Sequence, residues 1–261
     1  MSLSVIIPTL NEERYIAALL DSTRGELPMD AEVIVVDASD NHKTISAAKD
    51  AGVGINLRFL KSSTADVGLQ RNLGAASARF PYLLFLDADV LLGKDVVSRA
   101  MARIEEDALC IVSVRHVPDR STLRLRATLA LVDGLVLVAR LTKRPVTNGD
   151  FLLTNRRTFT ALNGFRVGGL LGEDTDFGYR AHQLGASNPI ERRGFVTASS
   201  RRLSAMPARR IVFQWAAAYI AVLRGSGVSG VRCDDTRYPY GLWGGDLRPA
   251  QSRSNGTTTS S

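Results

Sequence analysis

Cysteine is scarce, with two residues in 261, Cys110 and Cys233, far apart in the chain. That excludes a disulfide framework and a cysteine-built metal knuckle, and it fits a reducing compartment. Aromatic residues make up only 7% and form no interleaved aromatic–basic stripe for stacking on bases, so nucleic acid is not an expected partner. No window reaches the roughly 18 uncharged apolar residues of a membrane span. The start, Met1 to Pro8, has neither a basic n-region nor a long apolar core, so it does not read as a secretion signal. The expected address is the cytosol. Glycines are not gathered into a GxGxxG or Walker-type loop, so any nucleotide must be held another way.

What the chain does have is a positive excess, 33 Lys and Arg against 26 Asp and Glu, or +7. Such a balance suits anionic partners such as nucleotides, phosphates or acidic lipid headgroups. The length and an apolar share of 45% suffice for one large α/β domain with a sizeable core. That domain is expected over 1–224. An irregular segment, 225–261, follows, and from about 252 it reads as a disordered tail.

Tyr82-Leu83-Leu84-Phe85-Leu86 reads as a strand buried on both faces, the pattern of an inner strand in a parallel sheet. It ends in Asp87-Ala88-Asp89. Alternation along an extended backbone predicts that Asp87 and Asp89 face one spot. Two carboxylates beside a core strand need a compensating cation or hydrogen-bond donors. Mg²⁺ or Mn²⁺ shared with a substrate's phosphates would fit the pair. The plainer reading is an acidic loop capping the next helix.

Earlier in the chain, Leu3 to Ile7 is a first strand stopped by Pro8, and Asn11 reads as an N-cap with Glu12 and Glu13 in the first helical turn. Glu32 to Val36 is a second strand, ending at Asp37. Asn56 to Leu60 is a third, before a helix from about Gly68 to Ala78. Strands and helices alternating at this spacing predict βαβ units and a mainly parallel central sheet. Three strands then end in polar residues that could meet at one edge: Pro8-Thr9, Asp37, and Asp87 with Asp89.

Beyond the acidic pair come a helix near Lys94 to Glu106 and a strand, Leu109 to Val114. Leu123 to Leu141 is apolar with basic flanks, which suits either a core or dimer helix or an interfacial helix on an anionic membrane. Phe151 to Thr154 reads as a short strand and Arg156 to Leu162 as a helix. The stretch Gly172-Glu173-Asp174-Thr175-Asp176 places acids at a helix start, with Phe177, Ala181 and Leu184 as its buried stripe. Asp176 and Arg180 are spaced to pair. Ile211 to Leu223 is too short to span a bilayer and is expected to close the acceptor side, form a dimer contact or rest on lipid.

In order, Ser4 to Glu12, Val33 to Ser39, Gly68 to Gly74, Phe85 to Asp89 and Gly172 to Asp176 resemble the motifs of a family-2 glycosyltransferase of the GT-A fold. The resemblance covers about residues 3 to 200. It implies an α/β, Rossmann-like sheet flanked by helices with a C-terminal helical extension. It also implies an inverting, metal-dependent transfer of one sugar from a UDP-, GDP- or dTDP-sugar to a hydroxyl or phosphate of a saccharide or lipid-linked acceptor. Pro8, Thr9, Asn11 and Glu12 would line the nucleoside pocket, Asp37 would bond the base, and Arg71 would lie near base or phosphates. Asp87, Ala88 and Asp89 form the DxD element: Asp87 would touch the ribose and metal shell, and Asp89 would ligate Mg²⁺ or Mn²⁺. Asp174 would be the general base, with Glu173 assisting. Arg201 and Arg202 fall in a segment resembling a post-catalytic, diphosphate-facing stretch. The second strand reads Asp37-Ala38 where the family more often has two acids, which leaves the base open. The Gln-x-x-Arg-Trp motif of processive synthases is missing, so one sugar per encounter is expected. Peripheral contact with the inner membrane face and a homodimer are further expectations.

Two other classes compete. A haloacid-dehalogenase-like phosphatase also sets Asp-x-Asp after an apolar strand, but usually near the start of its core. A non-catalytic basic module for membranes or nucleic acid leaves the acids at three strand ends unexplained.

Overall fold

The computed structural model describes residues 2–104, 108–120, 122, 134, 147–168, 172–200 and 208–223. The runs richest in Val, Ile and Leu form its centre. Strands β1 (Leu3–Thr9), β2 (Glu32–Asp37) and β4 (Tyr82–Leu86) are buried along their whole length. Successive side chains serve opposite faces, as strand geometry requires. Leu3, Val5, Ile7, Leu84 and Leu86 enter one apolar cluster, whereas Ile6, Leu83 and Phe85 enter the other. β3 (Leu57–Lys61) completes a parallel half in the order β3-β2-β1-β4.

Helices cover both faces. α1 (Ile16–Thr23), α2 (Lys43–Ala51) and α4 (Val96–Met101) pack Ile16, Leu19, Leu20, Ala48, Val96 and Val97 into the first cluster. The second cluster takes Ala75 of α3 (Val67–Ser77), Phe159 of α5 (Arg156–Ala161), and Phe177 and Ala181 of α6 (Glu173–Gln183). Phe165 stacks on Phe177 at 4.4 Å between centroids and meets Phe85 edge-on at 5.0 Å. These rings fix the start of α6 over the sheet.

The remaining half is mixed rather than parallel. The sheet continues β7 (Phe151–Asn155), β6 (Ile111–Pro118), β8 (Ile190–Ala198) and β5 (Val90–Leu92). β7 runs antiparallel to both β4 and β6, while β6 and β8 are parallel. The reversal matters for the site: Leu86 pairs with Phe151, so the residues entering β7 arrive beside those leaving β4.

Several boundaries differ from the sequence-based expectations. Asn11 is not a helix cap. It sits in the left-handed region at φ 55°, its N–H donates to Ser39 Oγ, and α1 starts only at Ile16. Leu184 is 53% exposed, because it lies past the last turn of α6 rather than on its buried stripe. The Asp176–Arg180 pair forms at 2.7 Å. β5 and β8 had no counterpart in the sequence reading. α7 (Ala208–Leu223) is the C-terminal helical extension, with Val222 buried and Phe213 and Ile220 exposed. Among the described residues, no helix is long and apolar enough to cross a membrane. Leu123 to Leu141 (except 134), Arg201, Arg202 and 224–261 lie outside the described residues.

Candidate functional site

The C-terminal ends of β1 and β4 open onto a shallow, solvent-open cleft. Pro8, Thr9, Leu10 and Glu12 form one wall, Val67 and Gln70 of α3 the floor, and Asp87, Ala88 and Asp89 the other wall. Gln70 holds α3 to the strand ends by donating from Nε2 to Thr9 O at 2.9 Å and Val36 O at 2.7 Å. Asp66 caps α3, accepting from Leu69 N–H. This is the edge where open α/β sheets bind ligands.

Asp37 stands behind this wall. Its side chain is fully buried, and Oδ1 accepts from Thr9 Oγ1 at 2.9 Å and Ser39 Oγ at 2.6 Å. It therefore supports Thr9 and the loop after β2. Asp37 is not itself among the residues that line the cleft.

Asp87 and Asp89 share the cleft, though not by strand alternation. β4 ends at Leu86, and a turn over Ala88 and Asp89 brings both carboxylates to one wall. Ser199 N–H, just past β8, donates to Asp89 O at 3.2 Å and pins this turn.

Arg71 occupies the centre of the acid cluster. Its side chain is 1% exposed, with Nη1 on Glu173 Oε1 and Nη2 on Asp87 Oδ1, both at 2.8 Å. Nη2 also donates to Gly149 O at 3.2 Å, and the guanidinium lies over the Phe165 ring. Burial opposes the charge, but Asp87, Glu173 and Asp174 outweigh it and hold Arg71 firmly protonated. Through Nη1 and Nη2 it braces the β4 turn against α6, next to Asp87 of the cleft lining.

Asp174 accepts from Gly149 N–H at 2.6 Å through Oδ2 and from Thr175 N–H at 2.7 Å through Oδ1. Burial, then the neighbouring Glu173, push its carboxyl up to about 7, with Arg71 and the two N–H donors opposing. Asp87 is raised well above the usual carboxylate range, by burial first and then by Asp150, Asp89 and Glu173, against the pull of Arg71. Gly149 lies between these groups. A Cβ there would come within 2.7 Å of Arg71 Nη2 and 3.1 Å of Asp174 Oδ2, so only glycine fits.

Asp87, Glu173 and Asp174 thus surround one guanidinium, with Asp89 and Asp150 close to Asp87. Among the described residues, no three His, Cys, Asp or Glu side chains converge on one metal position. The set is all-oxygen, negative in excess and incomplete. Such a set suits Mg²⁺ or Mn²⁺, which takes one or two carboxylates and completes its shell with phosphate oxygens and water. Asp87 and Asp89, which line the cleft, are the residues that could supply them.

The sequence-based expectations include Asp87, Asp89, Glu173 and Asp174 but not Gly149, Asp150 or His116. An Asn-Gly-Asp turn directly before a strand was the available signal for Gly149 and Asp150. Nothing in the sequence marked His116.

The sequence model for glycosyl transferase family 2 matches residues 4–165, and the chain belongs to that family. Poly(ribitol-phosphate) beta-N-acetylglucosaminyltransferase TarS of Staphylococcus aureus is 33% identical over 129 residues, which are 45% of this chain and 22% of that relative. The matched stretch is thus about a fifth of that protein's length. Among solved structures, mannosyltransferase PcManGT from Pyrobaculum calidifontis in complex with GDP-Man and Mn²⁺ superposes with a TM-score of 0.66 at 19% identity. That alignment covers 92% of this chain and 67% of PcManGT. Glucosyl-3-phosphoglycerate synthase from Mycobacterium tuberculosis, with Mn²⁺, UDP and phosphoglyceric acid, gives 0.60 at 18% identity, covering 89% of this chain and 80% of that one. The fold is therefore that of the GT-A glycosyltransferases. The family match sets aside the phosphatase reading.

Proposed function

We propose that this protein is an inverting, metal-dependent glycosyltransferase that moves one sugar from a nucleotide-sugar donor to an acceptor hydroxyl. The observation that supports the reading is the Arg71 brace, which ties Glu173, the neighbour of Asp174, to Asp87 of the cleft lining. A nucleoside diphosphate lying along Pro8, Thr9 and Glu12 would bring its phosphates to the Asp87–Asp89 wall. A divalent cation held by Asp87 and Asp89 would neutralise charge developing on the departing diphosphate.

Asp174 takes the proton. A general base works best with a pKa near the working pH, and burial beside Glu173 pushes this carboxyl up to about 7. The Gly149 N–H fixes its direction, and Glu173, held by Arg71, keeps the acid pair in place. One base, with no second carboxylate assigned as a nucleophile, suits a single displacement with inversion.

The donor base and sugar stay open between UDP-, GDP- and dTDP-sugars. PcManGT was solved with GDP-Man, and the Mycobacterium tuberculosis synthase with UDP. For the acceptor we favour a lipid-linked saccharide met at the inner membrane face, from the exposed Phe213 and Ile220 of an α7 that contains no acidic residue. Transfer assays with NMR of the product test the central reading. Formation of a glycoside with inverted anomeric configuration supports it. Hydrolysis of sugar phosphates without a donor contradicts it.

A further inference from the structure

Asp150 and His116 lie beside the acid cluster without a part in the account so far. Asp150 Oδ2 is 3.2 Å from His116 Nδ1, and both side chains are part-exposed, at 29% and 22%. Among the described residues, neither ring nitrogen of His116 has a hydrogen-bond partner, although both are shielded from solvent. The main chain fixes where the pair stands. Asp87 N–H donates to Asp150 O at 3.3 Å, and the preceding residue, Gly149, is tied to Asp174 and Arg71. The main chain at Gly149 and Asp150 therefore links Asp87, at the wall assigned to the diphosphate, with Asp174, the carboxylate assigned as base.

In a single displacement the transferred sugar must lie between leaving group and acceptor, with its anomeric carbon in line. Groups placed between those two ends face the sugar ring. A carboxylate beside an imidazole is well suited to a polyol, since the carboxylate accepts from neighbouring hydroxyls and the ring donates or accepts. We propose that Asp150, oriented by His116, forms the subsite that binds hydroxyl groups of the donor's sugar. This rests on the glycosyltransferase reading and adds a residue pair that selects among donor sugars. Asp150 is the contact group, and His116 is a positioning residue acting through it.

The test is calorimetric titration of the full chain, with Mn²⁺ and without acceptor. UDP, GDP, UDP-glucose, UDP-N-acetylglucosamine and GDP-mannose are compared on wild type, Asp150→Asn, Asp150→Ala and His116→Gln. Losing a charged hydrogen bond to a sugar hydroxyl predicts about 10–100-fold weaker binding of the preferred nucleotide sugar in the Asp150 variants. Affinity for the parent nucleoside diphosphate should be retained, which also shows that the variants fold. His116→Gln should give a smaller loss and flatten the preference among sugars. Equal weakening of diphosphate and nucleotide sugar overturns the subsite, placing Asp150 in the cation grip instead. So does unchanged nucleotide-sugar affinity. Wild type that binds no nucleotide overturns the glycosyltransferase reading, and the subsite with it.

Discussion

Arg71 and Glu173 are 102 residues apart in sequence, yet their side chains meet at 2.8 Å while the same guanidinium holds Asp87. One buried cation thereby joins the first residue after β4 to the first residue of α6. Replacing it strands two carboxylates in a largely buried cluster. Breaking a buried pair on one side costs about 3–5 kcal/mol, so Arg71→Met should lose roughly that much stability in urea denaturation. Arg71→Lys should fall between, because an ammonium lacks the planar fork needed to reach both acids. A loss under about 1 kcal/mol for Arg71→Met would remove Arg71 from this role.

Asp174→Asn should lower kcat by about 10²–10⁴-fold, the usual contribution of positioned proton transfer, and leave nucleoside diphosphate affinity almost unchanged. Wild-type activity should climb with pH through about 7 as the carboxyl ionises. The variant's residual activity should lack that limb. Steady-state kinetics from pH 5.5 to 8.5 read both. A mutant retaining most of its activity would take Asp174 out of the mechanism.

The same carboxyl makes stability depend on pH. Between its ordinary value of 3.8 and about 7, the folded protein keeps a proton that the unfolded chain has released. Stability falls wherever the folded state binds more protons as pH rises. The contribution is thus fully present below about 4 and is lost as pH climbs through about 7. Asp87, also raised, acts in the same direction. Urea midpoints of wild type should decline from pH 5.5 to 8, and Asp174→Asn should show a shallower decline. Parallel slopes in the two proteins would contradict the assignment.

Gly178 lets α6 approach the loop before β7. A Cβ there would lie 1.4 Å from Thr147 Oγ1 and 2.7 Å from Thr147 Cβ. Gly178→Ala should cost about 1–3 kcal/mol, as overpacking does. It should also reduce kcat, since α6 carries Asp174. Adding Thr147→Ala should recover part of both, because it removes the nearer clash. No recovery would place the strain elsewhere.

How much of this was legible in the sequence depended on how local the cause was. β1, β2 and β4 were readable because burial on both faces gives them near-continuous apolar runs, Val5 to Ile7, Val33 to Val36 and Tyr82 to Leu86, although β1 runs on through Pro8 to Thr9. β8 was not, since Ile190–Ala198 carries Arg192, Arg193 and Gly194 and shows neither alternation nor a continuous apolar run. β5 is three residues long and paired only to β8. At the site, residue types at a strand end pointed to Asp87 and Asp89, and the family resemblance of an acidic helix start pointed to Asp174. The burial of Asp37 and Arg71 was hidden, because it is set by partners such as Ser39, Thr9, Gly149 and Glu173 that only the folded chain brings together.

The central claim is that carboxylates at the Asp87–Asp89 wall hold a cation that grips a sugar nucleotide. Its most direct measurement is titration of UDP and GDP into wild type and Asp89→Ala, each with Mn²⁺ and with chelator. The account predicts binding of one nucleotide by wild type only when Mn²⁺ is present, and its loss in Asp89→Ala. Equal affinity with and without metal, or unchanged Mn²⁺-dependent binding in Asp89→Ala, would contradict it.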